Sequence, residues 1–147
     1  MADLRFEARL EWSGLGKDGE GKATLNGETL VVSAPASMGG KGVGASPEDL
    51  LIGAVSSCYS GTLLGVLKRT GLAASSVQVR AEGIITDYPM RAKFSRLIVH
   101  PTITGGEPAR QSEYEQAATT AREKCFIGKT IAGNISYEVG EVRVLPD

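Results

Sequence analysis

The chain contains 147 residues, with 16 Lys and Arg against 17 Asp and Glu and a net charge of −1. This length fits one domain over residues 1–147, and a chain of about 150 residues buries enough surface to fold without a metal or disulfide. The balanced charge argues against a nucleic-acid or anionic membrane partner. The first residues form no basic and apolar leader, and the longest apolar run, Leu50–Val55, is too short to span a bilayer. We therefore predict a cytoplasmic protein.

Metal and cofactor sites have little support in the sequence. Only two cysteines and one histidine occur, which excludes a four-thiolate zinc site. The segment Gly128-Lys129-Thr130 lacks the earlier glycine of a phosphate-binding loop, because position 123 is glutamate. His100 lies in the strand-like run RLIVHPTI, which favours an ordinary structural histidine over a catalytic base. We therefore predict no metal and no cofactor.

Three short strands are expected in the first third of the chain. Apolar and charged residues alternate over residues 4–12, which predicts a half-buried strand. After the glycine-rich turn GLGKDGEGK, two strands at residues 23–25 and 29–33 are joined by Asn26 and Gly27, a strong hairpin sequence. This part of the chain is therefore predicted to be an antiparallel meander.

A long helix is predicted from Pro47 to Arg69. Ser46 is a capping residue, Pro47 suits the first helical position, and Gly71 follows the end. Apolar residues occupy nearly every side, which predicts a buried helix. Small residues recur at every fourth position, a small-residue stripe along which another helix is expected to pack: Gly53, Ser57, Gly61 and Gly65.

The rest of the chain is predicted to contain two strands, a second helix and a last strand. Residues 77–86 and 93–104 show partial alternation, and residues 134–144 form the final strand. Ser112 and Glu115 have the spacing of a capping box, so the helix is expected to begin there. Its apolar residues share one face: Tyr114, Ala117, Ala118, Ala121 and Cys125. The order βββ-α-ββ-α-β predicts an α+β sandwich with two core helices.

The two cysteines are the remaining candidates for chemistry. Free cysteine often behaves as a small buried hydrophobe, so two structural cysteines in a generic α+β domain are the simplest interpretation. Cys58 lies among small residues in SSCYS, however, and Cys125 follows Arg122 and Lys124, whose charge favours thiolate. Glu48 precedes Cys58 by ten residues, about 15 Å along a straight helix. A shared site would therefore need a long cationic side chain or a second subunit between them.

Four segments resemble those of a known family. The segment SMGGKGVGASPEDLLIGAVSSCY is similar to the glycine loop, the Pro-Glu segment and the cysteine helix of the OsmC/Ohr family, the organic hydroperoxide resistance proteins. The segment EKCFIGKTIAGNISYEV is similar to the part that carries the family's second cysteine, and WSGLGKDGEG and LIVHPTI resemble an Ohr-like peroxiredoxin subgroup. The resemblance implies antiparallel sheets wrapped around two central helices, in an intertwined homodimer with two sites at the interface.

The resemblance also implies a function and a role for three residues. The protein would be a thiol-dependent peroxidase that reduces organic hydroperoxides in oxidative-stress defence. Cys58 would attack the peroxide and become a sulfenic acid, which Cys125 would resolve to a Cys58–Cys125 disulfide. Glu48 matches the family's glutamate, which holds an arginine against the thiolate. An external dithiol, a lipoyl-bearing protein for some family members, would reduce the disulfide.

The sequence departs from the family pattern at the activating cation and beside the second cysteine. Where arginine is common, the chain has Lys17 in the first glycine turn and Met38 before the second glycine loop. Lys17 supplies charge without the planar fork of arginine, and Lys41 and Arg80 are the other candidate cations. Phe126 follows the second cysteine where proline is frequent.

Two further expectations concern the ligand. Apolar residues around the reactive thiol would favour alkyl over hydrogen peroxide by burying the organic tail: Leu51, Val55, Leu63 and Phe126. The missing arginine leaves an alternative open, a non-enzymatic dimer of the same fold that binds a small apolar ligand. The peroxidase hypothesis requires that the sulfurs of Cys58 and Cys125 meet in one electropositive cleft.

Overall fold

The computed structural model describes residues 1–147, which form two compact units, Met1–Leu51 and Ile52–Asp147. The first unit contains an antiparallel meander of three strands: β1 (Ala8–Ser13), β2 (Glu20–Leu25) and β3 (Glu28–Val32). Asn26 and Gly27 join β2 to β3 in the left-handed region, with φ of 51° and 82°. An Asn-Gly hairpin turn requires these angles, so the predicted hairpin is confirmed.

Strand β1 is exposed along its whole length, so the prediction of a half-buried strand is wrong for this chain by itself. Leu10 and Trp12, on one side of the strand, expose 61% and 47% of their surface. In the neighbouring β2, by contrast, Gly21 and Ala23 are buried. The alternation in β1 therefore gives an apolar face that no residue of the first unit covers.

Helix α1 (Pro47–Arg69) begins and ends as predicted. The Ser46 hydroxyl accepts a hydrogen bond from the Asp49 N–H at 3.1 Å, and the Asp49 carboxylate accepts one from the Ser46 N–H at 2.9 Å. This reciprocal pair satisfies two of the amides that a helix start leaves free. Gly71 follows the last turn with a φ of 72°, a conformation that glycine adopts without strain.

Only one stripe of α1 is buried, so the prediction of a helix buried on all sides is wrong. Its buried residues recur mainly at three- and four-residue spacing: Val55, Tyr59, Leu63, Val66 and Leu67. Gly53 and Gly61, on the small-residue stripe, have open space where a side chain would point, so no helix of this chain packs there. By length and composition alone α1 is apolar enough to cross a membrane, with a mean hydropathy of 1.7, a property that core helices share.

The second unit contains a mixed sheet of four strands: β4 (Ser76–Thr86), β5 (Lys93–Thr104), β6 (Ser136–Val139) and β7 (Arg143–Leu145). Strands β4 and β5 are antiparallel, whereas β6 and β7 both run parallel to β5. The expected antiparallel arrangement therefore holds for the first sheet and only in part for the second. The single strand predicted at the C-terminus is instead two strands, β6 and β7, and between them Gly140 passes against the His100 ring, where a side chain would overlap it.

Two helices complete the second unit, α2 (Gln111–Lys124) and α3 (Phe126–Ile131). The predicted apolar face of α2 is confirmed, with every member at most 4% exposed: Tyr114, Ala117, Ala118, Ala121 and Cys125. The predicted capping box is wrong, because a 3₁₀ turn (Pro108–Arg110) leads directly into α2 and no side chain caps it. The combination of sheets and helices confirms the α+β class.

Candidate functional site

Cys125 occupies the junction between α2 and α3. It closes α2, where its N–H donates to the Ala121 carbonyl at 2.8 Å, and its own carbonyl accepts from the Lys129 N–H at 2.9 Å in α3. The first N–H groups of a helix have no carbonyl partner within it, so those of Phe126 and Ile127 are free for another acceptor. The break between the two helices therefore places free amides beside a thiol.

The sulfur of Cys58 receives those amides. Cys58 lies on α1 and is half-buried. Burial acts to raise the pKa of its thiol, but hydrogen bonds from the Ile127 N–H, the Cys125 thiol and the Phe126 N–H together hold the pKa below its ordinary value. The Thr62 hydroxyl lies there too, but its single proton goes to the Cys58 carbonyl at 2.8 Å. Because the other donors favour the charged sulfur, Cys58 is the more readily ionised thiol of the pair.

Cys125 is the thiol of the pair that keeps its proton more readily. It is 0% exposed, and burial raises the pKa of its thiol, an effect that the Tyr137 hydroxyl and the Gly128 N–H partly offset. The thiol donates to the Val55 carbonyl oxygen at 3.9 Å, and its sulfur lies beside that of Cys58, whose ionised form it stabilises. Both cysteines are free, so the two sulfurs meet as a reduced pair.

Two tyrosine rings pack beside the cysteines and differ in what their hydroxyl groups do. Tyr59 and Tyr137 meet edge to face, with ring centroids 6.5 Å apart. The Tyr59 hydroxyl donates to the Ala118 carbonyl at 2.9 Å. The Tyr137 hydroxyl is fully buried and makes no hydrogen bond of regular geometry, but it lies beside the Cys125 sulfur. Burial raises the pKa of both tyrosines, so both are protonated at neutral pH.

Tyr137 belongs to the site, but the sequence does not clearly predict this. Its only signal is an aromatic residue on the inward side of the short strand β6, a pattern that core packing also produces. The backbone of Gly128 lies against its ring and leaves no room for a Cβ atom. This glycine therefore lets the ring approach α3, and the approach brings the hydroxyl to Cys125.

The expected electropositive cleft is not found in the second unit by itself. No cationic side chain is among the groups that lower the Cys58 pKa. Arg80 pairs with Glu82 at 3.5 Å in the sheet. In the first unit, Lys41 pairs with a glutamate at 2.9 Å, and Lys17 lies exposed in a 3₁₀ turn (Gly16–Asp18). Positive potential at the sulfur comes instead from the start of α3.

Glu48 has an unusual carboxylate for a residue in the first turn of a helix. One of its oxygens, Oε1, is buried and has no hydrogen-bond partner. The first turn of a helix favours a negative side chain, but a buried carboxylate oxygen without a donor is unfavourable. Glu48 is therefore able to accept a hydrogen bond from a donor that this chain does not supply.

Two expectations about nearby residues have clear outcomes. The His100 ring accepts a backbone N–H on Nδ1 at 3.0 Å and pairs through Nε2 with Glu82 at 2.7 Å, an ordinary arrangement as predicted. Val55 and Leu63 are wrong as residues lining an apolar approach, because both lie on the buried stripe of α1 and are 0% exposed. Phe126 is 69% exposed and remains available to an organic ligand.

The fold and the paired sulfurs define a small α+β protein with a reduced dithiol at a helix start. A family model described as OsmC-like protein matches residues 39–140, which include both cysteines. The chain belongs to the OsmC-like protein family. A relative from Bacillus subtilis, the uncharacterized protein YmaD, is 28% identical over 144 residues, which cover 95% of this chain and 94% of the relative.

Solved structures share the fold at low sequence identity. An OsmC-like protein of unknown function from Vibrio cholerae matches with a TM-score of 0.75 and 16% identity, covering 95% of this chain and 99% of that chain. An organic hydroperoxide resistance protein OsmC from Legionella pneumophila matches with a TM-score of 0.74 and 23% identity, covering 96% and 99%. The resemblance drawn from the cysteine motifs is therefore confirmed for family and fold.

Proposed function

We propose that this protein is a thiol-dependent peroxidase that reduces organic hydroperoxides through Cys58 and Cys125. One observation carries the proposal: the two sulfurs lie beside each other, and their surroundings favour ionisation of Cys58 over that of Cys125. Chemistry of this kind needs an ionised nucleophile and a second thiol that resolves its sulfenic acid. Family membership and the name of the Legionella relative support the same class of chemistry.

The reaction begins when the Cys58 thiolate attacks one peroxide oxygen. The O–O bond breaks, the sulfur is oxidised to a sulfenic acid, and the alkoxide takes up a proton and leaves as an alcohol. The Cys125 sulfur then attacks the Cys58 sulfur, which forms the disulfide and releases water. In this proposal an external dithiol, such as the lipoyl group of a partner protein, reduces the disulfide by exchange and is itself oxidised to a disulfide.

We also propose that the protein acts as a homodimer. The small-residue stripe of α1 is open, Leu10 and Trp12 are exposed, and the buried oxygen of Glu48 lacks a donor. A second copy that covers these surfaces would bring a cation to Glu48, with Lys17 as the first candidate. Size-exclusion chromatography with light scattering should give the mass of a dimer, and a monomer at micromolar concentration would contradict this part of the proposal.

The proposed substrate preference rests on the exposed Phe126 beside the reactive thiol. Its ring offers apolar surface to an organic tail, worth about 25 cal/mol for each Å² buried, and offers nothing comparable to hydrogen peroxide. Alkyl hydroperoxides should therefore be consumed faster than hydrogen peroxide, and equal rates would remove the preference. We place the protein in the cytoplasm, where reducing conditions preserve free thiols.

Peroxide consumption with a supplied dithiol tests the proposal. The parent protein should consume tert-butyl hydroperoxide catalytically, and Cys58→Ser should lose the activity completely. Cys125→Ser should react once and stop as a sulfenic acid that mass spectrometry detects. Ser60→Ala, two residues from Cys58 on α1, removes only a hydroxyl bonded to the Ser56 carbonyl and should keep the parent rate. A parent protein that consumes no peroxide with dihydrolipoamide or dithiothreitol would overturn the proposal.

A second candidate function is favoured by the lack of a cationic side chain at Cys58. In this case a dimer of the same fold would bind a small apolar ligand without catalysis. The rate of Cys58 alkylation as a function of pH distinguishes the two candidates. The peroxidase requires a thiolate at pH values below those at which free cysteine ionises, whereas an ordinary profile would favour the binding protein.

A further inference from the structure

Tyr137 carries a buried hydroxyl that the steps above leave without a role. The residue is 7% exposed, and its hydroxyl has no hydrogen-bond partner of regular geometry. A buried polar group in this state destabilises a fold, and phenylalanine would fill the same space without that penalty. The presence of tyrosine here therefore calls for a use of the hydroxyl itself.

The ring of Tyr137 is fixed so that its hydroxyl lies beside the Cys125 sulfur. It meets the Tyr59 ring edge to face at 6.5 Å, and it lies so close to Gly128 that no Cβ atom would fit between them. Its backbone carbonyl accepts a hydrogen bond from the Arg122 guanidinium at 3.1 Å. These contacts hold the ring, so rotation about the C–O bond is the freedom that remains to the hydroxyl.

The Cys125 sulfur lies beside both the Tyr137 hydroxyl and the Cys58 sulfur. When the reduced pair loses a proton, the negative charge is favoured on Cys58. Once Cys58 is a neutral sulfenic acid, charge must develop on Cys125 before the disulfide forms. The donors beside that sulfur are the Tyr137 hydroxyl and the Gly128 N–H.

We propose that Tyr137 is a catalytic residue of the resolving step, in which its hydroxyl donates a hydrogen bond to the Cys125 sulfur while that sulfur loses its proton and attacks Cys58. The S–H bond of Cys125 and the S–O bond of the sulfenic acid break, and the S–S bond forms. The departing hydroxide takes the thiol proton and becomes water, so Tyr137 stays protonated throughout. The inference rests on the proposed peroxidase function and adds a third residue to it.

Few titratable or charged groups surround the Cys125 sulfur. Cys58 and Tyr59 face it from α1 and Tyr137 from β6, while Arg122 on α2 lies near Tyr59. Tyr137→Phe removes one donor to Cys125 and leaves the ring in place. Tyr59→Phe is the matched control, because its hydroxyl donates to a backbone carbonyl and not to either sulfur.

A single-turnover experiment separates sulfenic acid formation from disulfide formation. The reduced protein is mixed with one equivalent of tert-butyl hydroperoxide, the reaction is quenched by alkylation, and the products are analysed by mass spectrometry. Loss of a hydrogen bond to an ionised group lowers the ionisation constant of Cys125 about ten-fold. The more basic thiolate is a better nucleophile, so disulfide formation should be about three-fold slower at neutral pH. Tyr137→Phe should form the sulfenic acid at the parent rate, and its deficit should shrink as the pH rises toward the pKa of Cys125. Tyr59→Phe should match the parent in both steps.

Two results would overturn the inference: parent-rate disulfide formation in Tyr137→Phe, or a deficit that is equal at every pH, which a purely structural change would give. A titration without peroxide separates this failure from that of the proposed function. The titration uses Cys58→Ser protein labelled with carbon-13 at the cysteine Cβ, with and without the additional Tyr137→Phe substitution. Tyr137→Phe should raise the pKa of Cys125. An unchanged pKa would overturn this inference and leave the proposed function untouched. A parent protein that consumes no peroxide would overturn the proposed function and the catalytic role together, while the titration would still decide whether the hydrogen bond exists.

Discussion

The surroundings of the two cysteines are opposite in character although the sulfurs are in contact. Cys58 is half-buried and receives the free amides at the start of α3. Cys125 is 0% exposed and lies at the junction of α2 and α3. Folding therefore lowers the pKa of one thiol and raises the pKa of the other. Backbone amides directed at one sulfur and core burial of the other make this difference.

The contrast gives an order of events for the proposed mechanism. A thiolate that attacks a peroxide needs access to the solvent, which half-buried Cys58 has and Cys125 lacks. A resolving thiol that keeps its proton does not compete for the substrate. The basic residues before Cys125 in the sequence favour a thiolate there, and that expectation is wrong, because packing favours ionisation at Cys58 instead.

The largest effect expected from this difference is in alkylation. In the reduced parent protein at neutral pH, iodoacetamide should modify Cys58 about a hundred-fold or more faster than Cys125, because a buried thiol reacts only when the chain opens locally. Peptide mapping by mass spectrometry measures both rates in one sample. In denaturant the two rates should converge, and similar rates in the folded protein would contradict the assignment of the two environments.

A smaller effect is expected from the glycine that lets Tyr137 approach α3. Gly128→Ala should lower the free energy of unfolding by about 1–3 kcal/mol, because its new Cβ would overlap the Tyr137 ring. Gly53→Ala is the matched control, since its Cβ would meet open space and alanine is about 1 kcal/mol better in a helix interior. Denaturant titration measures both variants. A Gly128→Ala protein as stable as the parent would show that the ring does not depend on this glycine, and a loss at Gly53 would indicate that the stripe of α1 is packed in a dimer.

Several elements could be predicted because a few neighbouring residues specify them. The Asn26-Gly27 turn has the required left-handed angles, and Ser46 caps α1 through its own hydroxyl. The buried face of α2 follows from helical periodicity over a single segment, which reaches Cys125. In each case the signal and the structure it produces lie within about four turns of chain.

Other features depend on contacts that no local pattern contains. Periodicity shows that a face is apolar but not what covers it, which is why β1 and most of α1 are more exposed than expected. The contact between Cys58 and Cys125 was implied by the family resemblance and not by residue spacing. The break that begins α3, and the approach of Tyr137 to Cys125, arise from packing between segments that are distant in the sequence.

The two tyrosines should respond differently when their hydroxyls are removed. Tyr59→Phe loses the hydrogen bond to the Ala118 carbonyl, so its free energy of unfolding should fall by about 0.5–1.5 kcal/mol. Tyr137→Phe loses a hydroxyl without a regular partner, so its stability should be unchanged or slightly higher. Denaturant titration of both variants provides the comparison. Equal losses would show that the Tyr137 hydroxyl has a structural partner and would remove the reason to assign it a catalytic role.

The smallest expected effect is in the pH dependence of stability. The pKa of Cys58 is lowered by folding, so its contribution is present above the unfolded pKa and is lost as the pH falls through the folded pKa. The pKa of Cys125 is raised by folding, so its contribution is present below the unfolded pKa and is lost as the pH rises through the folded pKa. Cys58→Ser retains only Cys125, and Cys125→Ser retains only Cys58. As the pH rises from neutral to alkaline, the free energy of unfolding of Cys58→Ser should therefore fall relative to that of Cys125→Ser. The difference should be small, because solvent around half-buried Cys58 weakens its interactions. Denaturant titrations of both variants at each pH measure this difference, and the opposite trend would place the charge of the pair on Cys125 and reverse the proposed order of attack.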